Sequence, residues 1–96
     1  MAQSTADVKT DHASRYLQQL CKHWSHKMTT QFDPTNGRVD FPSGAQLLLA
    51  ADAGDLRLTL TAPADAIERM QDVVADHLKR FAFREELEFA WQKQDR

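Results

Sequence analysis

The chain has one cysteine, Cys21, in 96 residues. An internal disulfide is therefore impossible, which fits a reducing cytosol. Its three glycines and three prolines are scattered rather than clustered. No flexible linker, repeat or low-complexity tract divides the chain. No apolar run approaches the roughly 20 residues that a membrane-spanning helix needs. The N-terminus lacks the charged start, apolar middle and small-residue cleavage site of an export signal, so the expected location is cytoplasmic. Charge of one sign is missing too. Twelve Lys and Arg against fourteen Asp and Glu leave a formal charge of −2, too little basic character to draw nucleic acid. The basic residues are interleaved with acids, and the aromatics fall on inward strand faces instead of forming a stacking platform. Neither a nucleic acid nor a membrane is expected as a partner.

What is present is ordinary for a globular protein: 42% hydrophobic and 27% charged residues. A chain of this length reads as one domain over residues 1–96, burying about two thirds of its unfolded surface, with Met1–Gln3 frayed. Ser4–Lys9 alternates weakly and predicts a short edge strand. Thr10 and Asp11 are good helix caps. From there a helix is predicted to about Met28, with Ala13, Leu17, Leu20, Cys21, Trp24 and Met28 on one stripe. Thr29–Asp33 follows, and Asp33-Pro34-Thr35-Asn36-Gly37 carries a turn signal. Arg38–Phe41 and Gln46–Ala51 alternate, with Leu47 and Leu49 inward and Leu48 outward. Leu56–Ala62 alternates most cleanly. Pro63 suits the first turn of a second helix. Ile67, Met70, Val74, Leu78 and Phe81 form its apolar stripe, and its end falls near Ala82 or Phe83. Leu87, Phe89 and Trp91 predict a closing strand. Each helix has one apolar stripe and each strand one apolar face. The fold class is therefore α+β: a two-layer sandwich, two helices on one face of a mostly antiparallel sheet, with water on the other.

Three of the four histidines lie at the start of the first helix or along it: His12, His23 and His26. At about 100° per residue, His12 and Tyr16 fall within about 20° of His23, Gln19 about 40° away and His26 about 60° away. They form a polar stripe beside the apolar one, with Arg15 at its outer margin. Cys21 points about 160° from His23, so the two cannot share an ion. Cys21 reads as a small buried hydrophobe. His23 and His26, at i and i+3, can share an ion if a third ligand comes from elsewhere, and His77 on the second helix is the candidate. Arg80 and Arg84 lie on the same flank as His77. If the helix margins meet, a groove holds His23, His77, Tyr16, Arg80 and Arg84. Imidazoles there suit a transition metal, and arginine forks suit an anionic ligand. The competing reading is that margin histidines simply hydrogen-bond neighbours or water, and that Arg84-Glu85-Glu86 is a solvated turn.

The run His12-Ala13-Ser14-Arg15-Tyr16-Leu17-Gln18-Gln19-Leu20-Cys21-Lys22-His23-Trp24-Ser25-His26-Lys27 resembles the opening motif of a bacterial family, domain of unknown function 2218. Asp76-His77-Leu78-Lys79-Arg80-Phe81-Ala82-Phe83-Arg84-Glu85-Glu86-Leu87, followed by Trp91, resembles its closing motif. The resemblance spans essentially the whole chain. The motif residues are Arg15, Tyr16, His23, Trp24, His26, His77, Arg80, Phe81, Arg84 and Glu85. The family occurs as small stand-alone proteins and appended to siderophore-interacting flavin reductases. The resemblance thus implies iron handling, with iron or another transition metal as cofactor and a metal chelate or a siderophore reductase as partner.

Three functions remain in play. In a binding module, Arg15, Tyr16, His23, His26, His77, Arg80, Arg84 and Glu85 contact the ligand, and His23, His26 and His77 contact a metal. In an enzyme, His23 or His77 is a general base oriented by Glu85, although no nucleophile–base pair, phosphate loop or carboxylate pair supports it. In an interaction domain, an edge strand or the helical face docks a partner. The chain is expected as a monomer or weak dimer.

Overall fold

The computed structural model describes residues 1–94. The elements run β1 (Ala2–Lys9), α1 (Ala13–Trp24), β2 (Thr29–Phe32), β3 (Asn36–Asp40), β4 (Gln46–Ala51), β5 (Asp55–Ala62), α2 (Ile67–Phe81) and β6 (Gln92–Gln94). The six strands form one antiparallel sheet in the order β2-β3-β4-β5-β1-β6. Both helices pack on one face, α1 over β2 to β5 and α2 over β5 and β1. The α+β sandwich expected from the alternating strands and single-stripe helices is the observed architecture. Among the described residues no helix is long and apolar enough to cross a membrane.

The inner face of the sheet supplies Val8, Val39, Leu47, Leu49, Leu56, Leu58 and Leu60, all buried. Leu17, Leu20 and Cys21 from α1 and Ile67, Val74 and Leu78 from α2 close over them. Burying a large apolar side chain stabilises by about 1.5–3 kcal/mol, and most of that gain offsets chain entropy. Leu48 points to the bare face and is half-exposed, as its strand parity requires.

Several boundaries differ from the sequence-based expectation. Ala2 and Gln3 are not frayed: they pair with Ala62 and Thr61 of β5, and Gln3 also pairs with Gln94 of β6. For the same reason β1 is not an edge strand. It lies between β5 and β6, and the edges are β2 and β6. Neither Thr10 nor Asp11 caps α1. His12 is the capping position without a side-chain cap bond, and the Thr10 hydroxyl instead accepts from the His12 N–H at 3.1 Å. Pro63 precedes α2 in a turn closed by Ala66 N–H donating to the Pro63 carbonyl. The expected strand over Leu87–Trp91 does not form. Only Gln92–Gln94 reach β1, while Phe89 and Trp91 stack on each other, with ring centres 6.3 Å apart at 16°. Their alternation records a shared apolar side rather than a paired strand.

Helix α1 stops at Trp24, four residues before Met28. The N–H groups of Lys27 and Met28 both donate to the Trp24 carbonyl, which tightens the last turn and bends the chain into β2. The Ser25 hydroxyl takes the Lys22 carbonyl.

Gly37 has a different role from the one its Asn-Gly context suggests. The turn is made by Asp33, whose carboxylate accepts from the N–H groups of Thr35 and Asn36, both at 2.8 Å. Those backbone bonds, Thr35 first, hold the Asp33 carboxyl below the usual carboxylate range. Gly37 sits within β3, facing α1. A Cβ there would lie 2.9 Å from the Cys21 Sγ, 3.2 Å from Leu17 and 3.3 Å from Leu49. The missing side chain lets α1 lie close on β3 and β4. Gly44 is the turn glycine, at φ +94°. Gly37→Ala is expected to destabilise the fold by about 1–3 kcal/mol through overpacking. Urea unfolding of the variant with an unchanged slope and a lower midpoint would show it.

Candidate functional site

The segment leaving α2 turns back over the start of α1. Ala82 closes α2 by donating its N–H to the Leu78 carbonyl, and the Glu85 N–H then bonds the Ala82 carbonyl at 3.2 Å. This turn aims the Glu85 side chain at α1. One carboxylate oxygen, Oε2, accepts from the Tyr16 hydroxyl in a short hydrogen bond and from the Thr10 hydroxyl at 3.1 Å. Tyr16 and Thr10 are both buried. The sequence puts Tyr16 on a polar stripe beside the apolar one, within a groove between the helices. Tyr16 is instead a core residue whose hydroxyl emerges where Glu85 can meet it.

Burial pushes the Tyr16 phenol up to about 12, and the bond to the Glu85 carboxylate adds to the effect. An ionised phenolate could not donate to Glu85, so the clasp requires the neutral form. Burial likewise pushes the Cys21 thiol up to about 11. That thiol packs against Gly37 and is a core group, as expected.

Around this clasp lies a cleft of about 620 Å³, lined by Asp11, His12, Arg15, Tyr16, Phe81, Phe83, Arg84 and Glu85. Arg15 and Arg84 are exposed and, among the described residues, make no ion pair. The Arg84 guanidinium lies 5.3 Å from the centre of the Phe83 ring. The His12 ring meets Tyr16 edge-on at 6.1 Å. The bare sheet face also has a concavity, of about 640 Å³. Its arginines are already occupied: Arg57 pairs with Asp7 at 2.9 Å and Arg38 with Asp40 at 3.1 Å. The cleft beside Tyr16 is where guanidiniums stay open to a ligand.

The histidines gather separately. His23, in the last turn of α1, and His77, in α2, have ring centres 5.5 Å apart. Trp24 lies 5.0 Å from His77, and Phe81 lies 6.0 Å from His23. The helix margins do meet here, but the single groove expected from the sequence is divided. Arg15, Tyr16, Arg84 and Glu85 line the cleft, while His23 and His77 form a pair. Phe81 borders both. Arg80 is exposed in the last turn of α2 and lines neither. His26 falls beyond the end of α1, exposed in the turn that follows. Among the described residues no three His, Cys, Asp or Glu side chains are placed to hold a metal ion. The three-histidine metal set is therefore not assembled.

Thr10, Asp11, His12, Phe81 and Phe83 lie outside the groove expected from the sequence. Thr10 reads in sequence as a cap, and Phe81 as core. His12 was visible in the polar stripe, within about 20° of His23. Phe83 has no periodic partner, and no sequence signal marks it.

The chain matches, over residues 5–92, a family described as "Uncharacterized protein conserved in bacteria (DUF2218)". The NMR structure of PA4090 from Pseudomonas aeruginosa is similar in sequence and fold. The two share 43% identity over 96% of each chain, with a TM-score of 0.79. No curated protein matches the chain.

The clasp is open to titration. The folded protein holds the Tyr16 proton more tightly than the unfolded chain, whose phenol titrates near 10. The stability this contributes is complete below pH about 10 and is lost as pH rises through about 12. Alkaline absorbance titration of the folded protein, which has one tyrosine, should place its midpoint near 12. Glu85→Gln should move the midpoint down while leaving it above 10. A wild-type midpoint of 10 in folded protein would contradict the clasp.

Proposed function

We propose, for a chain that belongs to the bacterial family DUF2218, that it is a binding module for an anionic, ring-bearing small molecule held in the cleft beside Tyr16. The observation that carries this is the meeting of two guanidiniums that make no ion pair among the described residues, Arg15 and Arg84, with the phenyl groups of Phe81 and Phe83 in one cleft. Guanidinium forks match carboxylates and phenolates, and phenyl faces take a flat ring. The Tyr16 hydroxyl donates to Glu85 Oε2, which also accepts from Thr10, so the phenol forms the wall of the cleft. The carboxylates of Asp11 and Glu85 share the lining with the two guanidiniums. Within this class we place an iron chelate of the siderophore type first, because aromatic catecholate and carboxylate chelators are both flat and anionic. The resemblance to domains appended to siderophore-interacting reductases supports the same choice.

A second reading, a docking face for a reductase-like protein partner, is favoured by one observation. Phe83 is 79% exposed at the rim of the cleft with the Arg84 guanidinium beside its ring, and aromatic and arginine side chains are the types enriched where proteins meet.

The two readings separate in one experiment. The protein is titrated with 2,3-dihydroxybenzoate and with its ferric complex, followed by calorimetry and amide NMR. Expected are shifts at Arg15, Phe83 and Arg84. Arg15→Ala and Arg84→Ala should each weaken binding about tenfold or more, the value of one charge-assisted hydrogen bond of roughly 1.5–3 kcal/mol. Saturable binding unaffected by either substitution, or no binding of either compound, would remove the small-molecule reading and leave the docking face.

A further inference from the structure

His23 and His77 lie outside the cleft lining, and the proposed ligand does not need them. They come from different helices, and their rings are 5.5 Å apart. The His77 Nδ1 lies 2.7 Å from the Val73 carbonyl oxygen. A carbonyl only accepts, so Nδ1 carries the hydrogen. In the neutral ring the lone pair is then on Nε2. This arrangement, one ring nitrogen fixed by a backbone carbonyl and the other left basic, is how proteins prepare imidazole for a metal. Trp24 flanks the His77 ring and Phe81 the His23 ring, which restricts how far either can turn.

The spacing also fits. Two imidazoles that each bind one ion at about 2.1 Å have ring centres roughly 5 to 6.5 Å apart, from tetrahedral to linear angles at the metal. The observed separation lies within that window. His23 is exposed and His77 half-buried, so the pair is reachable from solvent.

We infer that His23 and His77 form a two-imidazole site for a divalent late first-row ion, Ni(II), Cu(II) or Zn(II), bound by one chain with water in the other positions. Nitrogen donors favour these ions over magnesium or calcium, whose sites are built from oxygen. With two protein ligands the site is weak and exchangeable, suited to holding an ion in transit rather than as a structural staple. It does not rest on the cleft or on its proposed ligand.

The test is a titration of the metal-free full chain with nickel chloride and with zinc chloride at neutral pH, read by calorimetry and by the histidine ring signals in NMR. Expected is one ion per chain, shifting the His23 and His77 rings together. His23→Ala and His77→Gln should each weaken binding at least tenfold. His26→Ala should leave it unchanged. Circular dichroism confirms that each variant is folded, and His23→Ala, at an exposed position, tests the site even if His77→Gln unfolds. Three results would overturn the inference: neither metal binding with saturation, His26→Ala losing the metal while His77→Gln keeps it, or one ion shared between two chains in sedimentation. Failure here leaves the binding of aromatic anions untouched, because that is read at Arg15 and Arg84.

Discussion

The carboxylate of Glu85 accepts from both Tyr16 and Thr10, and the functional surface takes its shape from that contact. Thr10 opens the connection from β1 to α1, Tyr16 closes the first turn of α1, and Glu85 lies just past α2. One side chain thus joins three segments that no backbone ladder connects. Hydrogen bonds to a charged group contribute about 1.5–3 kcal/mol, roughly twice the neutral kind. Losing the carboxylate would also take the acceptor from the Tyr16 and Thr10 O–H donors, leaving Thr10 only its bond from the His12 N–H. The clasp fixes where Phe83 and Arg84 emerge, since both lie between Ala82, bound to α2, and Glu85, bound to α1. Without it the cleft would have one wall.

A second constraint works from below. Gly37 lets α1 approach β3 closely enough for Cys21 and Leu17 to touch the sheet. That closeness sets the height of α1 above the sheet, and so helps to set the level at which His23 meets the rings of α2. The bare face of the sheet has no comparable device. Its charges are matched in pairs, Arg57 with Asp7 and Arg38 with Asp40, and Lys9 with Asp55 at 2.6 Å. Exposed pairs of this kind contribute little to stability. They do leave that face electrostatically satisfied, while unpaired guanidiniums collect at the helical margin.

The architecture was legible because periodicity reports burial directly. Leu56, Leu58 and Leu60 could only be one face of a strand, and Ile67, Val74 and Leu78 one face of a helix. Periodicity failed where side chains share a side without sharing a ladder, as in Phe89 and Trp91. It also failed where backbone closure decides an end. The double bond to the Trp24 carbonyl stops α1, and no residue type near Met28 announces it. The candidate site was half legible for the same reason. Helical angles brought Tyr16 and His23 onto one side of α1, but an angle gives no height along the axis. Tyr16 and His23 lie seven residues apart, about 10 Å along the helix. One stripe therefore serves two neighbourhoods. Glu85 is marked in the sequence only by its motif, and its partner Thr10 lies 75 residues away, a distance over which local pattern is silent.

The division has a functional consequence. Phe81 borders the cleft on one side and faces His23 on the other. An anionic aromatic ligand against Phe81 and an ion on His23 and His77 would therefore be separated by a single ring in the last turn of α2. That ring is half-buried and packed against the core, so its position is shared by both neighbourhoods and belongs to neither. A chelating ligand carries its own oxygen donors, and a two-imidazole site has open positions. On the two proposals made above the chemistries would be complementary: guanidiniums would hold the anion, and imidazoles a cation of the kind such an anion chelates. The bare sheet face has a concavity of similar size, but its arginines are paired with carboxylates. The helix–helix margin is where this fold brings Arg15, Tyr16, His23, His77, Arg84 and Glu85 near one another, while Arg80 and His26 lie outside both neighbourhoods.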